Sequence, residues 1–392
     1  MKHIVIAGGG FAGARLARRL RKRRDIAVTL INDGENFRYS PALYRAATGF
    51  KMGIARIPLE WMFLDAVNVN LLYGKINKID PKTKRFKLED GQTITYDYAV
   101  CALGSVTTFF NIDGIGEHAF GIKSPSEINE LKEHIHDNIA HSGDTQHNYV
   151  VIGAGPTGVE VASMLGKYLQ RVMKRHRLKR PRVDIYLIEA GPRVLPTMSP
   201  RASKIAHKKL KKLGVQVLTD TKVTQETGRS LKTSAGQIKT ENVIWTAGAA
   251  VNPFYSENSK HFMFNQRGKV RVDKHLRALP RLYVAGDNAD TPFSGLALTA
   301  VWHANYIYKD LKRRLKKKHS KRYIERSPVQ IVPIASTAIL QYKKLVLHGP
   351  IIALVRRVAD FVGYSDVLGP LRALTIWRSS EQAETDCHTC KR

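Results

Sequence analysis

The chain has 392 residues, 43% of them hydrophobic, enough to build two or three domains with true cores and to exclude extensive disorder. Lys and Arg number 64 against 33 acidic residues, and the resulting net charge of +31 gives the surface a strong attraction for anionic lipid or nucleic acid. No apolar run approaches the roughly 20 residues needed to cross a bilayer, and Met1-Lys2-His3 leads straight into a strand, so the protein is expected in the cytosol or on the cytoplasmic face of a membrane.

The first element is "IVIA" (Ile4 to Ala7), read as a buried parallel strand, followed by Gly8-x-Gly10-x-x-Gly13 and a helix carrying Leu16 and Leu20. Gly8 permits the tight turn, Gly10 lets backbone approach a pyrophosphate, and Gly13 lets helix and strand pack closely. The anion then rests on the positive end of the helix, with Phe11 and Ala12 in its first turn. A second strand, Ala27 to Ile31, ends at Asn32-Asp33, about 20 residues on, where an acidic ribose ligand is expected. Either Asn32 serves there as a neutral acceptor or Asp33 takes over.

Tyr96 to Ser105 is a short strand that ends in glycine, with Ala102 and Gly104 placed to pass close to a cofactor. The dinucleotide pattern then repeats: "NYVVI" as strand, Gly153-x-Gly155-x-x-Gly158 with Pro156 and Thr157 inside the turn, a helix, and "VDIYLIE" ending in Glu189. A carboxylate at that strand end accepts hydrogen bonds from an adenosine ribose and repels a 2′-phosphate, favouring NADH over NADPH. A second strand-to-glycine stretch, Glu241 to Gly248, places Ala247 and Gly248 as Ala102 and Gly104 are placed. Two glycine turns in one chain fit one tightly held flavin dinucleotide and one exchanging nicotinamide dinucleotide that meet face to face. In "RLYVAGDNAD" (Arg281 to Asp290), Gly286-Asp287 offers a carboxylate to the ribityl chain of FAD, or else caps the next helix.

Two runs concentrate the positive charge, Lys174 to Arg182 and Lys312 to Arg322, but no helix-turn-helix, zinc-finger or aromatic-rich RNA-binding pattern accompanies them, so nucleic acid is not expected as a partner. Beyond them, Gly349-Pro350 starts a helix with proline at its first position. Ile351, Ile352, Leu354, Val355, Val358, Phe361 and Val362 would share a broad face opposite Arg356, Arg357 and Asp360. Pro370 begins another helix, with Leu371, Leu374 and Trp377 at helical spacing. Such helices lie in the plane of a membrane interface, or pack on the protein's own core or a homodimer partner. The polar stretch after Arg378 is expected to be mobile. Only three cysteines occur, Cys101, Cys387 and Cys390. The Cys387-x-x-Cys390 pair lacks a second ligand pair, so no metal is expected.

These pieces together resemble the two-dinucleotide-binding-domain flavoproteins, and most closely the type II NADH:quinone oxidoreductases. The narrower likeness rests on "NFRYSPALYRAATG" (Asn36 to Gly49), "GAGPTGVEVA", the stretch Ile188 to Val217, "VIWTAG" and the long basic helix from Tyr168 to Pro181, and it covers roughly residues 3 to 310. The resemblance implies an α/β fold of two Rossmann-like dinucleotide-binding domains with a C-terminal amphipathic membrane-attachment region. The FAD domain would be split into residues 1–115 and 266–320 around an NADH domain of 116–265, with 321–392 as attachment region and tail. It implies FAD on Gly8, Gly10 and Gly13, backbone from Ile76 at the adenine, Asp287 on the ribityl chain, and NADH on Gly153, Gly155, Gly158 and Glu189. Glu160 would orient the reacting rings; as a plain helix acid it would only favour the helix dipole. Leu298, Thr299 and Ala300, at a helix start, would present N–H groups to the reduced flavin.

The sequence departs from the family where its quinone-site helix has Ala-Gln-x-x-x-Gln, since Ala300-Val301 and Asn305 stand there. The expected reaction is ping-pong transfer from NADH through FAD to a membrane quinone, without proton pumping. A soluble reductase for ferredoxin, oxygen or another small acceptor is the alternative that Val301 and Asn305 leave open. The absence of a cysteine pair beside either glycine turn disfavours relatives that need thiols next to the flavin.

Overall fold

A computed structural model describes residues 1–141, 146–177 and 182–384. The first strand, β1 (Lys2–Ala7), runs into helix α1 (Phe11–Leu20) and then into β2 (Ile26–Asn32). Two short helices, α2 (Leu43–Ala47) and α3 (Leu59–Phe63), precede β3 (Val69–Tyr73), and an antiparallel excursion over residues 76–95 leads to β4 (Tyr98–Cys101). Successive residues of β1 are buried on opposite faces, as a parallel strand covered on both sides requires. Ile4 and Ile6 pack with Leu16 and Leu20 of α1, whereas Val5 and Ala7 pack with Phe86, Phe254 and Tyr255.

After β4 the chain crosses, by way of β5 (Ser105–Thr107), into a second unit. There α4 (Pro125–His141), β6 (Gln146–Ile152), α5 (Pro156–Arg175), β7 (Arg182–Ile188), α6 (Pro200–Lys212), β8 (Val215–Leu218) and β9 (Asn242–Trp245) follow one another. The parallel order β8-β7-β6-β9 repeats the parallel run β3-β2-β1-β4 that begins at one edge of the first sheet. The chain returns through β10 (Ala249–Val251), which pairs antiparallel with β5, Ser105 opposite Val251. It then adds β11 (Arg277–Leu279) and β12 (Leu282–Val284) to the first sheet beside β4. Helix α7 (Ala297–Leu315) lies along α1 and buries Ile307 and Leu311 against it.

A three-stranded antiparallel meander comes next: β13 (Gln330–Ile334), β14 (Thr337–Tyr342) and β15 (Leu345–Gly349). The sequence reading treats everything beyond 320 as attachment region and misses this sheet, whose strands are short and joined by two-residue turns. Helices α8 (Pro350–Leu368) and α9 (Pro370–Ser379) follow, each with proline in its first turn.

Helix α8 has a definite facing that the sequence left open. Ile352, Tyr364, Val367 and Leu368 point inward, Phe361 packs edge-on against Trp377 of α9, and Asp360 is only 4% exposed. Arg356 also turns inward, donating to the Pro41 carbonyl at 3.1 Å. What remains outside is apolar: Ile351, Leu354, Val355, Val358 and Val362 are all exposed. The polar side faces the protein because a buried network on α2 and the Tyr39 loop receives it. No described helix is long and apolar enough to cross a membrane.

The stretch after Arg378 is tied down as far as Glu384, against the expectation of mobility. Arg45 donates to the Ser380 carbonyl at 2.6 Å, Lys51 to Gln382 at 2.9 Å, and Glu384 N to the Gly49 carbonyl at 3.0 Å. Glu384 also takes Lys132 of α4 as an ion-pair partner and offers its carbonyl to Arg175 of α5 at 2.7 Å. Cys387 and Cys390, and residues 178–181 of the first basic run, lie outside the described residues.

Candidate active site

The two glycine turns are built alike. Gly8 and Gly153 adopt left-handed backbone (φ +104° and +95°), and a Cβ on either would strike Ala102 or Ala247, one or two residues past β4 or β9. A Cβ on Gly13 would lie 1.8 Å from the Gly8 carbonyl oxygen, and one on Gly158 would lie 1.8 Å from that of Gly153. At Gly10 and Gly155 a Cβ would meet nothing within 4 Å, so each cradle is open where a diphosphate would lie against the helix start. Phe11 and Pro156 take the first positions of α1 and α5, with Ala12 and Thr157 following.

The strand ends also correspond. Asn32 Oδ1 accepts from Gly9 N at 2.7 Å, and Glu189 Oε2 accepts from Ala154 N at 2.8 Å. Asn32 Nδ2 donates to the Gly34 carbonyl at 2.6 Å, while Glu189 Oε1 accepts from Gly191 N at 2.9 Å. Asp33 is exposed, with Arg38 at 3.9 Å, whereas Asn32 is the residue turned onto the first glycine turn. Ile76 begins the strand beside this edge, its side chain buried with Ile31 and Ala7.

The two crossovers and the returning strand converge between the turns. Asp287 accepts from Ser105 Oγ at 2.9 Å, Asn288 donates to the Gly104 carbonyl at 2.8 Å, and Asn288 Oδ1 takes Asn252 N at 3.1 Å. Gly286 brings Asp287 close to the starts of both α1 and α7, since a Cβ there would reach Ala12 at 3.9 Å and Ala300 at 3.8 Å. At the start of α7, Leu298 is exposed and Thr299 is buried with its hydroxyl unpaired. Gly104 and Gly248 both have positive φ, and Lys123 ties the crossovers together by donating to the carbonyls of Gly248 (3.0 Å) and Val106 (3.3 Å). Burial lowers the Lys123 pKa, with Glu127 and Asp287 pulling it back up.

Two site residues were not legible in the sequence. His303, fully buried one turn along α7 from Ala300, accepts from Gly286 N at Nδ1 (3.1 Å) and reaches Thr291 Oγ1 through Nε2 (3.3 Å). Burial lowers its pKa to about 4, so it is neutral and holds Gly286 as a fixed acceptor. Lys123 is the second, hidden among many surface lysines.

Glu160, in the first turns of α5, is partly buried and makes no side-chain hydrogen bond or ion pair among the described residues. Burial pushes its pKa up to about 8, with Arg356 opposing and Asp360 adding to the rise. Val301 faces an apolar crevice of about 40 Å³ among Phe11, Phe37, Met62 and Gly363. Asn305 does not join it: its Oδ1 accepts from Arg19 at 3.0 Å on the outer side of α1.

A family model described as pyridine nucleotide-disulphide oxidoreductase matches residues 2–304. The type II NADH:quinone oxidoreductase NdhA of Mycobacterium tuberculosis is 31% identical over 338 residues, covering 80% of this chain and 72% of that protein. The chain belongs to the type II NADH:quinone oxidoreductases. A second M. tuberculosis member, Ndh, is 28% identical over 95% of this chain and 87% of its own. Among solved structures, NDH2 from Plasmodium falciparum in complex with NADH aligns with a TM-score of 0.85 at 17% identity, covering 98% of this chain and 99% of that one. The sulfide:quinone oxidoreductase of Aquifex aeolicus shares the fold at a TM-score of 0.80 and 16% identity. Among the described residues the one free cysteine is Cys101, fully buried in β4, its thiol pushed up by burial, so this member of the family presents no reactive thiol there.

Proposed function

We propose that the protein oxidises NADH and passes two electrons to a membrane quinone, a ping-pong reaction through FAD without proton pumping. The carrying observation is the matched pair of open glycine cradles, each closed behind by a contact that only glycine permits. FAD, when bound, supplies the hydride acceptor and the two-electron store. Gly8, Gly10 and Gly13 would hold its diphosphate, Asn32 its ribose, and Asp287, fixed by Ser105, its ribityl chain. The N–H groups that open α7 would be offered to the reduced ring. Gly153, Gly155 and Gly158 with Glu189 hold NADH, and the carboxylate disfavours a 2′-phosphate. Glu160 lies at the start of α5, where a carboxyl neutral near pH 7 orients the reacting rings and donates a proton to the acceptor.

The outward stripe of α8, continued by Leu371 at 85% exposure on α9, seats the protein on the cytoplasmic surface of an anionic membrane, assisted by its net charge of +31. Val301, lining the small crevice where α1, α3, α7 and α8 meet, marks the side from which a quinone would approach. Stopped-flow mixing of the yellow holoprotein with NADH is the test. The flavin absorbance should bleach, and a short-chain quinone should restore it faster than ferredoxin or oxygen does. A flavin that NADH leaves oxidised overturns the reading.

A further inference from the structure

At Gly286 the chain leaves the first sheet. Ala285 N still donates to the Cys101 carbonyl at the end of β4, at 2.9 Å, and Gly286 then turns with positive φ (+76°) into the short helical turn that carries Asp287 and Asn288. The Gly286 N–H has no backbone partner among the described residues and donates instead to Nδ1 of His303 on α7, at 3.1 Å. With Nδ1 accepting, the proton of the neutral ring sits on Nε2, which reaches the Thr291 hydroxyl at 3.3 Å. The ring is fully buried, and Tyr323 packs edge-on against it with centroids 5.2 Å apart, which holds its plane. Ala300, three residues earlier on the same helix face, is the neighbour that a Cβ on Gly286 would meet at 3.8 Å. Among the described residues, the two bonds of His303 are the hydrogen bonds that join α7 to the segment 286–291. A leucine would fill similar space, so the imidazole is required for its two ends, one accepting and one donating.

We infer that His303 is a positioning residue for the flavin: as a strut between Gly286 and Thr291 it fixes the turn carrying Asp287 against the start of α7. The inference rests on the placement of FAD proposed above, in which Asp287 meets the ribityl chain and the first N–H groups of α7 meet the ring. Those two supports are separated in the chain by the loop 291–296, and a shift of one against the other would put ribityl and ring contacts out of step. Ser105 holds the Asp287 carboxylate, while Gly104 and Asn252 hold Asn288, but these bonds tie the turn to the two crossovers and not to α7. His303 supplies the remaining direction. Its effect is selective between redox states, because helix N–H groups stabilise the negative charge that the reduced ring carries and the oxidised ring does not. Loss of the strut therefore loosens FAD and, in addition, lowers the flavin midpoint potential.

The two ends of the imidazole can be tested separately. His303→Asn sets a carbonyl oxygen where Nδ1 lies and keeps the Gly286 bond, His303→Gln reaches Thr291 alone, and His303→Leu removes both. FAD release on dilution and the flavin midpoint potential are measured on each holoprotein. In His303→Leu the FAD dissociation constant should rise by about tenfold, and reduced FAD should lose about tenfold more affinity than oxidised FAD, which is a midpoint lower by about 30 mV for a two-electron couple. His303→Asn should recover most of both changes, and His303→Gln should resemble His303→Leu. A general loss of packing would weaken both redox states alike, so a midpoint that stays at the parent value in His303→Leu or His303→Gln overturns the inference. It is equally overturned if His303→Asn does no better than His303→Gln, a comparison that stands even where His303→Leu fails to fold. A parent protein that holds no FAD at all would bring down the proposed placement itself, a result read before any variant is made.

Discussion

Asn32 accepts a hydrogen bond from the buried Gly9 N–H at 2.7 Å, in the position where Glu189 grips Ala154 in the second turn. A neutral amide thus does locally what a carboxylate does in the other half of the chain. Asn32→Ala would leave the Gly9 N–H unpaired, a cost of about 1–3 kcal/mol. FAD retention should fall roughly tenfold for each 1.4 kcal/mol lost, measured as flavin released on dilution. Retention equal to that of the parent would count against Asn32 as the organiser of this cradle.

Glu189 uses both carboxylate oxygens on backbone N–H groups. Glu189→Gln keeps one acceptor and removes the negative charge that repels a 2′-phosphate. The ratio of kcat/KM for NADH over NADPH should drop by about tenfold or more, mainly through KM. An unchanged ratio would place nucleotide selection elsewhere.

Much of this was readable beforehand because it depends on local chemistry. Gly8, Gly13, Gly153 and Gly158 each relieve a specific backbone clash, and the apolar strands before them have to be buried on both faces, so residue type and spacing suffice. The facing of α8 was not readable. Helical periodicity divides its residues into two sides but does not say which side meets the protein, and that depends on Tyr39, Pro41 and Arg45, more than 300 positions away in sequence. His303 was missed for the same reason: its partner is the Gly286 N–H, and tertiary packing alone brings them together. The meander over 330–349 was hidden because its strands are short and its apolar residues pack under α8, a tertiary contact that periodicity does not show.

Gly363 of α8 leaves room for Tyr39, since a Cβ there would lie 2.3 Å from the Tyr39 hydroxyl. Gly363→Ala should lift the helix or displace the ring, destabilising the protein by about 1–3 kcal/mol. Thermal unfolding should register this as a lowered Tm even though alanine favours helices. A raised Tm would show that the packing there is slack.

Glu160 also gives the fold a pH dependence. Its pKa is raised from 4.5 to about 8 in the folded protein, so the native state prefers the neutral carboxyl. That preference contributes fully below pH 4.5 and is lost as pH rises through about 8. Glu160→Gln should remove this part of the slope, so its stability advantage over the parent grows between those limits. Urea unfolding at several pH values would check it, and parallel curves for the two proteins would refute it.

The outward stripe of α8 predicts a separation of binding from chemistry. Val358→Asp puts a charge in the middle of the stripe without touching either glycine cradle. Partition onto anionic vesicles should fall by tenfold or so, whereas NADH oxidation with a water-soluble quinone should stay within twofold. Equal vesicle binding by both proteins would exclude this face as the seat.

The strand pairing also imposes an order on folding. Leu282 of β12 pairs with Ala99 of β4, and the entire second unit lies on the chain between them. Strands β6 to β9 can find one another within residues 146–245, whereas the first sheet cannot be completed until the interposed segment has contracted and brought its two ends together. The second unit is therefore expected to form early and to act as the clasp that lets the domain around it close. A lesion in β6 or β9 would then reach the flavin through delayed assembly, even with every residue around the flavin unchanged.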